Sequence, residues 1–310
     1  MEIETMQWEK KGIVFNPQGK LDWANHSALQ PTPIVLEDRI RIFCGFRDEN
    51  GISRVGWVDL DKNDPTIVID FSNQPALDVG LPGSFDDNGV VPTAIVKRKE
   101  GLFLYYAGYQ IVEKVRFIAF LGLGISTDNG RTFRRYSNVP VMDRTDKEFL
   151  FRVVHSIIYD EGKWKAWYGG GSYFIQGEKK TLPVYDIRYL ESADGIHFPK
   201  EGNIVIKNSG DEYRVGRPYV VKNANGYEMF FGASSPTKVF RLGYATSKDG
   251  INWNRNDEAL GIEYDQQGFD SEMSSYPSVV DLNDKRYLFY NGNNYGYHGF
   301  GLAILKNTND

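Results

Sequence analysis

Five segments of this chain share one outline, and that repetition limits the possible folds more than any other feature of the sequence. Read from Gln30, Val90, Val153, Gly216 and Ser275, they run QPTPIVLEDRIRIFCGFRD, VVPTAIVKRKEGLFLYYAGY, VVHSIIYDEGKWKAWYGGG, GRPYVVKNANGYEMFFGAS and SYPSVVDLNDKRYLFYNGN. Each has a polar start, a β-branched run, a tight turn and an aromatic run, the pattern of a hairpin. A third strand is predicted after every copy: SRVGWVDL from Ser53, AFLGLGIST from Ala119, DIRYLESA from Asp186, RLGYATSK from Arg241 and GFGLAILK from Gly299. A spacing of about sixty residues exceeds a solenoid repeat and suits a four-stranded propeller blade.

Three of the third strands run into a turn of Ser, Asp and Gly followed by an aromatic residue: Ser126, Asp128, Gly130 with Phe133; Ser192, Asp194, Gly195 with Phe198; Ser247, Asp249, Gly250 with Trp253. Asp can accept from loop amides and Gly supplies positive φ, so these resemble the structural Asp-box turns of propellers. Fourth strands follow as TFRRYSNVPVM, HFPKEGNIVI and NWNRNDEALGI, with PTIVIDF in the first repeat. The last repeat has none, whereas Gln7 to Phe15, QWEKKGIVF, has its outline. The prediction is therefore all-β: a five-bladed β-propeller with four-stranded antiparallel blades, closed by the N-terminal strand pairing into the last blade. It forms one domain over 1–310, with the closing strand near 6–15 and blades near 25–75, 86–142, 148–207, 211–263 and 270–310.

Composition agrees, with 19 Tyr, 19 Phe and 32 Gly favouring short strands and tight turns over long helices. A formal net charge of -5 with no basic stripe argues against nucleic acid or an anionic membrane as the partner. The start, MEIETMQWEKKG, lacks an apolar signal region and no apolar run reaches membrane-spanning length, so a cytoplasmic location is expected. The single cysteine, Cys44, lies in the apolar run RIFCGF and reads as a small buried hydrophobe. There is no Walker loop, dinucleotide fingerprint, nucleophile elbow or zinc spacing.

The segments FDDNGVVPTAIV, YRVGRPYVV, FDSEMSSYPSVV and GYATSKDGINW resemble the five-bladed propeller superfamily that contains glycoside hydrolase families 43, 32 and 130 and family 32-like bacterial proteins. The resemblance spans essentially the whole chain and implies a carbohydrate-active enzyme. Families 43 and 32 carry acids at or near the strand-one proline, but here those places read Gln30-Pro31, Val91-Pro92 and Val154-His155. No residue is therefore transferred as their base, modulator or acid.

Candidate acids come instead from the repeat. Six residues before the aligned anchors Pro31, Pro92, Val154, Arg217 and Tyr276 stand Asn25, Asp86, Glu148, Asp211 and Asp270, with Asp87, Glu212 and Glu272 beside them. Carboxylates converging at one mouth raise one another's pKa and can divide acid and base roles, as glycosidic cleavage requires. The competing structural role is to tie down the start of each blade through local hydrogen bonds. The catalytic candidates are Asp86, Glu148 and Asp270.

Arg47, Arg152, Arg214 and Arg217 offer bidentate contacts to an anionic group, in the way family 130 phosphorylases resemble in using basic residues for phosphate. His155 and His298, with His26, stand near the same opening, and Asp87, Asp211 and Glu272 complete the substrate-binding candidates. The loops GGGSYF and NGNNYGYHGFG can stack sugars on aromatics or serve as ordinary turns. No cofactor is implied; Ca²⁺ is compatible with an acidic funnel but not demanded by the spacing. Two functions remain: an enzyme acting on a glycosidic or glycosyl-phosphate bond, or a non-hydrolytic propeller binding a sugar, sugar phosphate or nucleotide sugar in intracellular glycan or polysaccharide biosynthesis.

Overall fold

Alternating β-branched, aromatic and small residues form nearly all the regular structure of the computed structural model, which describes residues 5–178, 180–264 and 266–306. In chain order the strands are β1 (Trp8–Phe15), β2 (His26–Val35), β3 (Arg39–Arg47), β4 (Ser53–Asp61), β5 (Val68–Phe71), β6 (Val90–Arg98), β7 (Gly101–Gln110), β8 (Ile118–Ser126), β9 (Arg134–Arg135) and β10 (Phe151–Asp160). They continue as β11 (Lys163–Gln176), β12 (Thr181–Ser192), β13 (Asn203–Ile206), β14 (Arg214–Asn223), β15 (Gly226–Ser234), β16 (Arg241–Ser247), β17 (Trp253–Arg255), β18 (Ser275–Leu282), β19 (Lys285–Asn291) and β20 (Phe300–Leu305). Helical structure among the described residues is limited to single turns at Asp257–Leu260 and Asn293–Gly296.

Within each repeat the strands pair antiparallel in sequence order: β2 to β5, β6 to β9, β10 to β13 and β14 to β17. The last group is completed from the other end of the chain. Its order is β18, β19, β20, β1, with Trp8 opposite Leu305 and Phe15 opposite Phe300. The first strands of the groups pack side by side, β2 against β6 and β18, β10 against β6 and β14, and β14 against β18.

The second strands carry the core. Tyr105, Trp167, Phe230 and Phe289 are fully buried between neighbouring sheets. Cys44 is equally buried in β3, and burial pushes its thiol pKa well up. The Ser/Asp/Gly turns are structural. Ser126 Oγ accepts from Gly130 N at 2.8 Å, Ser192 Oγ from Gly195 N at 2.9 Å and Ser247 Oγ from Gly250 N at 2.9 Å. Each turn also accepts a hydrogen bond from the preceding repeat. Arg41 Nη1 donates to Asn129 O at 2.9 Å, Tyr105 Oη to Gly195 O at 2.7 Å and Trp167 Nε1 to Gly250 O at 2.8 Å.

Every first strand contains a bulge where the register to its hairpin partner slips: between Leu29 and Thr32, Pro92 and Ala94, Val154 and Ser156, Gly216 and Tyr219, and Ser275 and Ser278. At three of these the residue before a proline has positive φ: Gln30 at 53°, Arg217 at 60° and Tyr276 at 56°. Such a conformation is costly for a residue with a Cβ, and bulges re-aim side chains. The bulges also correct the alignment used on the sequence. Thr32, Ala94, Ser156, Tyr219 and Ser278 are equivalent by their partners Phe43, Tyr105, Trp167, Phe230 and Phe289, which places Gln30, not Pro31, opposite Arg217 and Tyr276. The first repeat was one residue out of step.

Candidate functional site

The upper ends of the first strands and the loops between second and third strands enclose a cavity of about 430 Å³. Its wall is aromatic, with Tyr109, Phe117, Phe151, Tyr185, Tyr276 and Tyr295. Its charge is all of one sign. Arg47, Arg116, Lys180, Arg214 and Arg217 line it together with His155, and no Asp or Glu does so among the described residues.

Arg214 and Arg217 are three apart on β14, a spacing that a regular strand would send to opposite faces. The bulge and the positive φ of Arg217 bring both to the cavity. Neither has a carboxylate partner among the described residues. Arg214 Nη2 donates to Tyr295 Oη at 2.9 Å, and its guanidinium lies 4.0 Å from the ring centroid of Phe240. Arg217 Nη2 donates to Tyr109 Oη at 3.1 Å, and its guanidinium lies 4.9 Å from the Tyr276 ring. Arg47 Nε, Arg214 Nε and Arg217 Nη1 are buried and have no hydrogen-bond partner among the described residues. Unsatisfied buried donors on charged groups are costly, and their gathering in one cavity points to a ligand. His155 is buried beside them; burial, reinforced by the Arg217 charge, holds its pKa well below the usual histidine value, so the ring is neutral.

Below this cavity the channel narrows to a void of about 20 Å³, bounded by Gln30, His155, Arg217, Tyr276 and the prolines Pro31, Pro218 and Pro277. That is room for about one water, so the cavity is a dead end.

The carboxylates expected at the mouth are turned away from it. Asp86, Glu148 and Asp270 are at most 1% exposed and do not line the cavity. Each is held by the tyrosine twenty residues further on: Tyr106 Oη donates to Asp86 at 2.9 Å, Tyr168 Oη to Glu148 at 2.7 Å and Tyr290 Oη to Asp270 at 2.9 Å. Each also meets a cation. Arg135 reaches Asp86 at 2.8 Å, Arg152 and Arg188 reach Glu148 at 2.6 and 2.5 Å, and Lys10 reaches Asp270 at 2.8 Å. The fourth repeat has Phe231 at the tyrosine position, and there Asp211 is exposed, accepting from Thr237 Oγ1 at 3.2 Å, while Glu212 takes Arg255.

Of the other residues singled out, Arg152 lies on the face of β10 opposite Val153 and spends its donors on Glu148, Asp143 O and Pro199 O, so it is not available to an anion. Asp87 accepts from Gly83 N at 2.8 Å, Glu272 is exposed, and His298 packs edge-on against Tyr297 at 5.1 Å. His26 stacks on Tyr297 at 4.6 Å. None of these lines the cavity. Arg47, His155, Arg214 and Arg217 do, and so does Tyr295 of the loop NGNNYGYHGFG; Gln30, Arg116, Lys180, Tyr109, Tyr185 and Tyr276 were missed as site residues. Gln30 and Tyr276 had a signal, since each precedes a proline at a first-strand anchor. No group of three or more His, Cys, Asp or Glu among the described residues is placed to hold a metal ion.

No family model matches the chain. Its fold is glycoside hydrolase-like. A solved glycoside hydrolase superposes with a TM-score of 0.74 at 18% identity, covering 98% of this chain and 93% of the other. A structure from the GH130 family of mannoside phosphorylases, which contains glycoside hydrolases that target β-1,2 mannosidic linkages in Candida mannan, gives 0.71 at 14% identity, covering 98% and 95%. A thermostable family-43 glycoside hydrolase gives 0.66 at 16% identity, covering 91% and 89%. In sequence the chain is 35% identical over 304 residues to the uncharacterized protein Rv1502 of Mycobacterium tuberculosis, covering 97% of this chain and 100% of the relative. With one residue in three retained over that full length, the chain belongs to the same family as Rv1502.

Proposed function

We propose that this chain is a five-bladed propeller, closed by β1 in the last blade, whose central funnel binds an anionic saccharide without hydrolysing it. The strand pairing of β1 with β20 and the cyclic packing of the first strands support the architecture. The glycoside hydrolase-like fold supports a saccharide as the ligand class. The observation that carries the reading is the lining itself: five basic side chains and a neutral histidine, with no carboxylate among the described residues.

Most enzymes that hydrolyse a glycosidic bond use two carboxyl groups flanking it. Here the buried acids are occupied by tyrosines and cations, so Asp86, Glu148 and Asp270 have a structural role in this proposal. An anionic group, by contrast, supplies what the buried guanidinium donors lack. Sugar phosphates and nucleotide sugars both carry such a group beside a ring that can lie on the aromatic wall.

Calorimetry against neutral sugars, sugar phosphates and nucleotide sugars, with product analysis of each mixture, tests this. Phosphorylated sugars are expected to bind with affinity that falls as salt rises and to be recovered unchanged, and neutral sugars to bind weakly or not at all. Hydrolysis of a neutral oligosaccharide at a rate above background would overturn the proposal. Phosphate-dependent release of a sugar phosphate would replace it with phosphorolysis.

A further inference from the structure

The cavity has two tiers of positive charge. Arg116 and Lys180 are exposed at the lip, whereas Arg214 is 8% exposed and Arg217, with His155, borders both the cavity and the void beneath it. Arg217, His155 and Gln30 are therefore the last groups a ligand meets, while Arg214, which does not border the void and lies in register with Tyr185, stands on the wall above them. Nothing larger than a water passes below the floor, so whatever group reaches it is an end of the ligand.

We propose that this floor seats the terminal phosphate of a sugar phosphate, so that the ligand enters phosphate first and leaves its sugar ring against the aromatic wall above. The inference deepens the anionic-saccharide reading and rests on it. Charge selects the group. Arg214 and Arg217, which like Arg47 have no carboxylate partner among the described residues, match a phosphate monoester of about -1.5 to -2 better than a single carboxylate, which would leave more of this charge uncompensated. Donor geometry agrees. Arg214 Nε and Arg217 Nη1 are unpartnered. The two arginines are steadied by the hydroxyls of Tyr295 and Tyr109 at 2.9 and 3.1 Å, which leaves those N–H groups for the ligand. Three terminal oxygens can use two such donors together with the side chain of Gln30 and the neutral ring of His155, which border the same floor.

The dead end also separates the two ligand classes left open above. In a nucleotide sugar the diphosphate is flanked on both sides, so neither phosphate is terminal and neither can reach a blind floor without its substituents. A sugar monophosphate can. Its ring then lies at the height of Tyr109, Phe117 and Tyr185, and its outer hydroxyls approach Arg116 and Lys180.

The test is calorimetry on the full chain with inorganic phosphate, glucose 1-phosphate, glucose 6-phosphate, glucuronic acid and uridine diphosphate glucose. Arg217→Gln and Arg214→Gln are each expected to weaken phosphate and sugar phosphate binding at least about tenfold. Arg217→Lys keeps the charge, loses the fork and is expected to fall between; it also serves if the Gln variants fail to fold. The double variant Arg116→Gln, Lys180→Gln is expected to weaken inorganic phosphate less than about threefold, because an exposed cation contributes little. The opposite ranking, with the lip variant losing phosphate and the floor variants keeping it, overturns the orientation while leaving the anionic-saccharide reading in place. Tighter binding of glucuronic acid or uridine diphosphate glucose than of either monophosphate overturns the choice of group in the same way. Failure of every anionic saccharide to bind overturns both.

Discussion

Asp86 shows how little a residue's type says about its role until its neighbours are known. An acid in a predicted funnel suggests catalysis. Its carboxylate instead accepts from Tyr106 Oη at 2.9 Å, Arg135 Nε at 2.8 Å and Ser84 Oγ at 2.9 Å, and is fully buried. Gly122 makes this possible, because a Cβ there would stand 2.1 Å from the Tyr106 ring. Asp86→Asn is therefore expected to cost about 1–3 kcal/mol in urea denaturation, by breaking a buried charge-assisted network, and to leave sugar phosphate affinity within about twofold. A variant of unchanged stability that no longer binds would return Asp86 to the site. His155 makes the complementary point: a lone histidine in a sequence is ambiguous, but one buried beside Arg217 is a neutral donor and acceptor.

The repeated elements are joined by their turns as much as by their sheets. Each Ser/Asp/Gly turn holds its own shape and then offers a carbonyl to a side chain of the preceding repeat. Trp167 is the largest of these donors and is fully buried, touching Gly250, whose φ is 78°. Trp167→Phe removes the indole N–H and some volume together. We expect a loss of about 1–3 kcal/mol in urea denaturation with ligand affinity unaffected. An unchanged midpoint would mean that the turns do not couple neighbouring sheets.

For the whole molecule, the group β18 to β20 depends on a strand from the opposite end of the chain. β1 also contributes Trp8 Nε1, which donates to Leu260 O at 2.7 Å, and Lys10, which pairs with buried Asp270 at 2.8 Å. Removing residues 1–15 would expose the edge of β20 and leave Asp270 without its cation. Such an edge recruits other chains. The truncated protein is expected to unfold at a lower midpoint than the full chain and to associate in sedimentation velocity; a monomer unfolding near the full-length midpoint would refute the closed-ring proposal.

Periodicity made the strands, hairpins and turns legible from the sequence, because alternation, β-branching and Gly-centred turns are local properties that each repeat states again. The acid and tyrosine spacing of twenty residues was present as well, in Asp86 and Tyr106, Glu148 and Tyr168, Asp270 and Tyr290, but nothing local says that the two side chains meet. What only the tertiary structure decided was direction. Bulges at Gln30, Arg217 and Tyr276 break the alternation on which facing arguments rest, the one on β14 sending both Arg214 and Arg217 to the cavity, while hydroxyls and cations from other strands hold the carboxylates away from it. The five repeats thus determine the strands and hairpins, and packing between strands far apart in sequence determines that the cavity they enclose has a cationic lining.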